Sequence, residues 1–269
     1  MRTICIVSFF FGILASVGVA LAEGPHREIQ DNSFLLEEAY NQEDGVIQEI
    51  QTFKYMKGDT WSYSFTQEWP VPTQTHQFSY TVPLERLSED DGAHTGLGDM
   101  ALNYRYQLLF KEGEIACSPR FSLILPTGDD QLGLGSGTVG YQVNLPISLR
   151  LGERFVTHWN LGLTFTPDAR EPGGEKADTL NTNYGMSLVY LVSHNLNVLV
   201  EFVGTAEQTV VANGVTTSQN SFLINPGLRY AIDFENLQIV PGISVPIGVG
   251  PSKGEYGVMA YLSFEHKLF

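Results

Sequence analysis

Apolar and polar side chains alternate with period two along most of this chain. In residues 99–110, Met100, Leu102, Tyr104, Tyr106, Leu108 and Phe110 share one side, opposite Asp99, Asn103, Arg105 and Gln107. Residues 139–151 repeat the pattern, with Val139, Tyr141, Val143, Leu145 and Leu149 facing away from Gln142, Asn144, Ser148 and Arg150. Residues 155–165 do so again, with Phe155, Trp159, Leu161, Leu163 and Phe165 opposite His158, Asn160 and Thr164. Successive side chains of a pleated strand point to opposite faces, so each run predicts a strand with one greasy side. A helix would scatter Arg105 and Gln107 around its axis and leave no apolar stripe. Weaker alternation marks 61–66, 115–125, 184–192, 196–202, 221–232, 237–247 and 256–268. Adding 46–56 and 75–82 gives about twelve strands, several of the length that crosses a bilayer at a tilt.

The connections sort into two kinds. Residues 111–114, 152–153, 193–195 and 233–235 read as short turns; 84–98, 126–137, 167–181 and 206–219 read as long segments. The two kinds alternate, as in an up-and-down barrel whose long loops share one rim and whose short turns share the other. The predicted fold is therefore all-β: a closed antiparallel up-and-down transmembrane β-barrel.

A soluble sandwich also alternates, and three features separate it from a membrane barrel. The apolar faces are rich in Tyr, Trp, Phe and Leu, which suits lipid and its aromatic interfaces. Arg105, Arg120, Arg150 and Arg229 all fall on polar faces. A lipid-facing Arg at mid-bilayer costs about 2–4 kcal/mol, so a barrel must turn them inward. The strand-like tail ends on Phe269, a terminal aromatic of the kind that barrel assembly machinery engages. Against this, Pro119, Pro146, Pro226 and Pro241 sit inside predicted strands, where each removes a ladder donor. Bulges or rim positions are required to absorb them.

Charge and the first residues set the compartment. Arg2, the apolar run 4–19 and Ala20-Leu21-Ala22 read as a signal peptide cleaved after Ala22. The division expected is 1–22 signal peptide, 23–45 a periplasmic tail or lumen plug, and 46–269 the barrel. The full chain carries −15, which excludes nucleic acid as a partner. Loss of Cys5 with the signal peptide leaves Cys117 alone, so no internal disulfide forms.

Particular tracts carry a resemblance. Phe65-Thr66-Gln67-Glu68-Trp69-Pro70-Val71-Pro72, followed by His76-Gln77-Phe78-Ser79-Tyr80, is similar to outer-membrane transporters of the MetA-pathway of phenol degradation family. Further matching stretches are 34–38 with Tyr40 and Gln42, Gly96-Leu97-Gly98-Asp99, 119–128 and 140–146. The resemblance implies an outer-membrane barrel with a transport role; it implies no substrate.

The inward polar set expected to line the lumen is Glu68, Asp99, Asn103, Arg105, Arg120, Gln142, Asn144, Arg150, Glu201 and Arg229. These side chains either border a permeation path or form a salt-bridge and hydrogen-bond lattice that fills a narrow barrel. The acidic tracts Glu89-Asp90-Asp91 and Asp129-Asp130 read as cation-holding or simply solvated loops. The scattered His76, His94, His158 and His194 lack metal-ligand spacing, and Gly133-Leu134-Gly135-Ser136-Gly137 lacks the Lys-Ser/Thr ending of a phosphate loop. No metal or cofactor is expected. The leading function is a passive transporter or pore for small molecules, aromatic or hydrophobic ones included. The alternatives are a non-conducting structural or adhesive barrel, and an outer-membrane lipid hydrolase, for which no His-x-Ser cluster is found. Expected partners are outer-membrane lipid, lipopolysaccharide and the barrel assembly machinery.

Overall fold

The computed structural model describes residues 29, 32–89 and 92–268. The segment expected to be a signal peptide, Asp90, Asp91 and Phe269 lie outside the described residues.

Twelve antiparallel strands close into one barrel. They are β1 (Val46–Met56), β2 (Thr60–Pro70), β3 (His76–Glu89), β4 (Gly92–Leu97, Met100–Tyr106 and Leu109–Lys111), β5 (Ile115–Cys117 and Arg120–Leu125) and β6 (Gly140–Asn144 and Ile147–Leu151). There follow β7 (Phe155–Arg170), β8 (Lys176–Leu191), β9 (Leu196–Ala212), β10 (Val215–Tyr230 and Ile232–Asp233), β11 (Leu237–Ser244 and Ile247–Gly248) and β12 (Gly257–Lys267). Each strand pairs with its chain neighbours. The cylinder closes where β1 meets β12, in unbroken register from Val46↔Lys267 to Met56↔Gly257. Closure leaves no sheet edge, the condition for strands to stand in hydrocarbon.

Burial runs inside out. Leu161 is 57% exposed and Leu163, Phe165, Val143, Phe121 and Leu102 are also exposed, whereas Glu201 is 0% and Arg229 1% exposed. A water-soluble domain of this size reverses that order. The outward row of β7 runs from Phe155 to Phe165, about the eleven residues a tilted strand needs to cross the hydrocarbon. Among the described residues no helix is long and apolar enough to span a membrane.

The four short turns predicted at 111–114, 152–153, 193–195 and 233–235 share one rim. Three of the predicted long loops are instead strand. The chain pairs through Glu89↔Gly92, Arg170↔Lys176 and Ala212↔Val215, so 84–98, 167–181 and 206–219 are hairpins projecting past the membrane. Most of their residues are polar, which hides the strand pattern, yet pairing satisfies their backbone groups. Residues 126–139 remain a loop, built on a 3-10 turn (Asp130–Leu132) capped by the Asp129 side chain.

The prolines sit where the ladder is interrupted. Ser118-Pro119 in β5 faces Leu145-Pro146 in β6, between Cys117↔Ile147 and Arg120↔Asn144. Asn225-Pro226 in β10 faces Val245-Pro246 in β11 in the same way, between Gly227↔Ser244 and Ile224↔Ile247. Val240-Pro241 lies opposite Tyr230-Ala231, between Arg229↔Gly242 and Ile232↔Ile239. A missing donor costs little where the facing strand breaks at the same level, and the in/out alternation continues across each gap.

Residues 32–42 run inside the cylinder, and Glu43 and Asp44 emerge exposed at the rim before β1. The inner residues contact Gln77 of β3, Arg105 of β4, Arg120 of β5, Ser148 of β6, Asn160 of β7, Ser187 of β8, Glu201 of β9 and Arg229 of β10. Only a segment within the barrel reaches strands on every side. Around Phe34 the lumen also holds a small apolar core of Ile50, Leu199, Val240, Met259 and Tyr261, which the polar reading of the inner face did not foresee.

Candidate functional site

The inner segment is irregular, so its N–H and C=O groups need partners from the wall. Inward side chains supply them. The Glu201 carboxylate accepts from Leu35 N at 2.9 Å, Leu36 N at 3.1 Å and Asn225 Nδ2 at 2.6 Å. Arg105 donates to Asn41 Oδ1 at 2.9 Å, to Glu38 O at 3.1 Å and to Tyr40 O. Gln107 takes Asn41 N and gives to Ala39 O, both at 2.9 Å. Ser148 Oγ accepts from Ala39 N at 2.8 Å, and Asn160 exchanges two bonds with the Glu37 backbone. Arg229 donates to Asn32 O. These contacts are side chain to backbone, not a strand ladder.

An ion pair joins segment to wall. Glu37 Oε1 lies 2.7 Å from Arg120 Nη2, and Arg120 Nε donates to Glu37 Oε2 at 3.0 Å. Burial pushes the Glu37 carboxyl up, but Arg120, Arg105 and hydrogen bonds from Arg120 and Asn144 together outweigh it and hold it below its ordinary value of 4.5. A depressed carboxylate stabilises the docked form above its free pKa and loses that contribution as pH falls through the lowered value. The inner segment is therefore expected to be held at neutral pH and loosened by acid. A nitroxide on Leu35→Cys, in a Cys117→Ser background, should gain mobility on acidification below pH 4.5. In Glu37→Gln the label should already be more mobile at neutral pH, with a smaller acid step.

The apolar anchor is Phe34, edge-on to Tyr261 at 5.9 Å and 83°. It fits because two wall residues are glycines. A Cβ built on Gly227 would stand 2.4 Å from Phe34 Cε2 and 2.7 Å from Ser244 Cβ, and one on Gly242 3.1 Å from the same ring. Gly227→Ala is expected to cost about 1–3 kcal/mol by overpacking. Urea unfolding in detergent should register it.

The ten residues expected at the lumen fall into three settings. Arg105, Arg120, Asn144, Glu201 and Arg229 contact the inner segment. Glu68, Asn103 and Gln142 stand one bond behind: Glu68 accepts from Gln77, Asn103 and Gln142 both accept from Arg120. Asp99 and Arg150 lie at opposite rims, Arg150 still bordering a small inner cavity with Tyr40, His158 and Arg229. Asp99 fills the gap between two pieces of β4 and accepts from Gly128 N, Ser136 N and Ser136 Oγ at 2.7–2.9 Å, tying down the 126–139 loop. Arg150 turns into the short-turn rim, donating to Gly152 O and Glu153 O.

Two features were missed. Gln77, Gln107 and Asn160 hold the segment alongside the charged residues. They were visible as inward polar positions, but nothing in a strand pattern says what an inward amide touches. Ser148 Oγ and His158 Nδ1, direct cross-strand partners, stand 2.7 Å apart, a pairing at ten-residue separation that a search for His-x-Ser passes over. Ser148 is 0% exposed beneath Ala39, so its hydroxyl serves the inner segment. Among the described residues no three His, Cys, Asp or Glu gather to hold a metal.

Residues 33–260 match the model of the family described as "Putative MetA-pathway of phenol degradation". The chain belongs to this family. No curated protein matches it in sequence. In fold, this MetA-pathway family member is similar to an outer-membrane channel from Pseudomonas putida F1, at 13% identity and TM-score 0.63, over 85% of this chain and 97% of that one. Looser likenesses are the KdgM porin in complex with disordered oligogalacturonate (12% identity, TM-score 0.48, 82% and 99% covered) and the transport unit of the autotransporter AIDA-I from Escherichia coli (9%, 0.45, 87% and 94%). The match to the Pseudomonas channel shows a shared outer-membrane barrel fold.

Proposed function

We propose that this chain is a passive outer-membrane channel for small molecules, with residues 32–42 acting as a plug that sets how far it opens. The observation that carries the reading is the way the inner segment is held. Glu201, Arg105, Gln107, Ser148 and Asn160 grip it by individual side-chain hydrogen bonds, whereas the wall is held by backbone ladders between strands. A segment held this way moves without unpicking the barrel. Its membership of the MetA-pathway family and its channel-like fold support the same reading, and lipid and lipopolysaccharide are then its surroundings. Planar-bilayer recording tests it: small, fluctuating conductance is expected, increasing when the plug contacts are weakened.

A second reading, a non-conducting structural barrel, is favoured by the tight fill beside Glu201, where Asn225, Arg229 and Ser244 are at most 1% exposed. Silence in bilayers from both the parent chain and plug-weakened variants would select it.

A further inference from the structure

On the side of the inner segment away from the short turns, the lumen widens into a chamber of about 460 Å³. Its base is aliphatic: Leu35 and Leu36 from the inner segment, Val203 from β9 and Leu223 from β10. Its walls carry the amides and hydroxyls of Gln142, Thr164, Asn181, Asn183, Thr205 and Ser221. Leu36 and Val203 are buried, but Leu35 and Leu223 are only half-buried, and apolar surface left facing a polar lumen is unfavourable unless something apolar covers it. The volume falls within the range of small-molecule sites, which combine apolar surface with a few placed polar groups.

The basic groups at the chamber already face carboxylates. Arg120 is held by Glu37 at 2.7 Å. Lys54 interacts with Glu85. A free anion therefore meets no unmatched positive charge there, and a cation meets only the exposed Glu207, too well screened to offset the desolvation of an ammonium. The wall groups are partly used among themselves: Gln142 Nε2 donates to Thr164 Oγ1 at 2.8 Å, Thr205 and Ser221 share a bond of 2.7 Å, and Asn181 Oδ1 accepts from Gln208 N at 2.7 Å. Each hydroxyl and amide retains further donor or acceptor capacity.

We propose that this chamber binds an uncharged amphipathic molecule of about one-ring size, its apolar face on Leu35, Leu36, Val203 and Leu223 and its hydroxyl or carbonyl groups on the amide and hydroxyl walls. The proposal rests on the channel reading for access from outside, so binding and conductance are measured separately. The full chain is placed in lipid nanodiscs, with empty nanodiscs as blank, and titrated with benzyl alcohol, benzoate, benzylammonium and myo-inositol. Saturable binding of benzyl alcohol above the blank is expected, with the two ions and the polyol at least about tenfold weaker. Leu223→Asn should weaken benzyl alcohol about tenfold by removing apolar contact, and Asn183→Ala several-fold by removing a polar partner. A mobility shift on boiling confirms that each variant is folded. Absence of saturable binding, an ion or inositol binding as well as benzyl alcohol, or indifference to both variants overturns the site. Binding without conductance would leave the site standing and remove the channel reading; conductance without binding would do the reverse.

Discussion

Arg105→Ala is expected to raise the open fraction of the channel by roughly a hundredfold. Its guanidinium, 3% exposed, serves Asn41 Oδ1, Glu38 O and Tyr40 O from one rigid fork. Without it these acceptors stay buried and lose a charged donor, at about 1–3 kcal/mol for each left unsatisfied. Cooperative relaxation reduces the sum, and a net loss of about 3 kcal/mol corresponds to a shift of about two decades in the docked-to-released ratio. The ladders from β4 to β3 and β5 use backbone atoms and survive. The variant should therefore still resist cold detergent and shift on boiling while bilayer recordings show longer and more frequent openings. Arg105→Lys should fall between, since an ammonium cannot reproduce the planar fork. Unchanged conductance in Arg105→Ala would mean that residues 32–42 do not limit flow.

Leu163→Arg should be the most destabilising of the single changes to the wall, by about 2–4 kcal/mol. Leu163 is 43% exposed in the outward row of β7, paired with Val143 and Thr182. In a water-soluble protein so exposed a position tolerates arginine within about half a kcal/mol. Here the charge meets hydrocarbon. The next residue, Thr164, faces the lumen chamber, and Thr164→Arg should cost little. Unfolding by urea from liposomes, followed by fluorescence of Trp159 on the same strand, measures both. The orientation of the wall stands only if Leu163→Arg is the worse of the two.

Strand pattern carried much of this. Alternation such as Leu102/Asn103/Tyr104/Arg105 reports one greasy and one polar face, and lack of charge on the greasy face separates lipid from water. The loop lengths were read less well. Residues 206–219 look like loop because they are polar, but β9 and β10 continue through them to Ala212↔Val215. Outside the membrane, backbone pairing alone sustains a strand, and pairing leaves no trace in hydropathy. The prolines looked like objections for the same reason: Pro119 and Pro146 are harmless because both strands break at the same level, Pro119 opposite Leu145 and Pro146 opposite Ser118, and that is a relation between strands.

The lumen marks the boundary most sharply. That Arg105, Arg120, Glu201 and Arg229 point inward follows from chain order, because period two assigns each side chain a face. Which of them meets Tyr40, Glu37, Leu35 or Asn32 does not follow, because those contacts join residues more than 60 positions apart. Local chemistry along the backbone settles the faces, the span and the closed cylinder. Only the folded arrangement decides that residues 32–42 lie within it, that Asp99 and Arg150 serve a loop and a turn, and that four aliphatic side chains meet at the base of a chamber. Faces depend on neighbours in sequence, whereas occupancy of an interior depends on every strand at once.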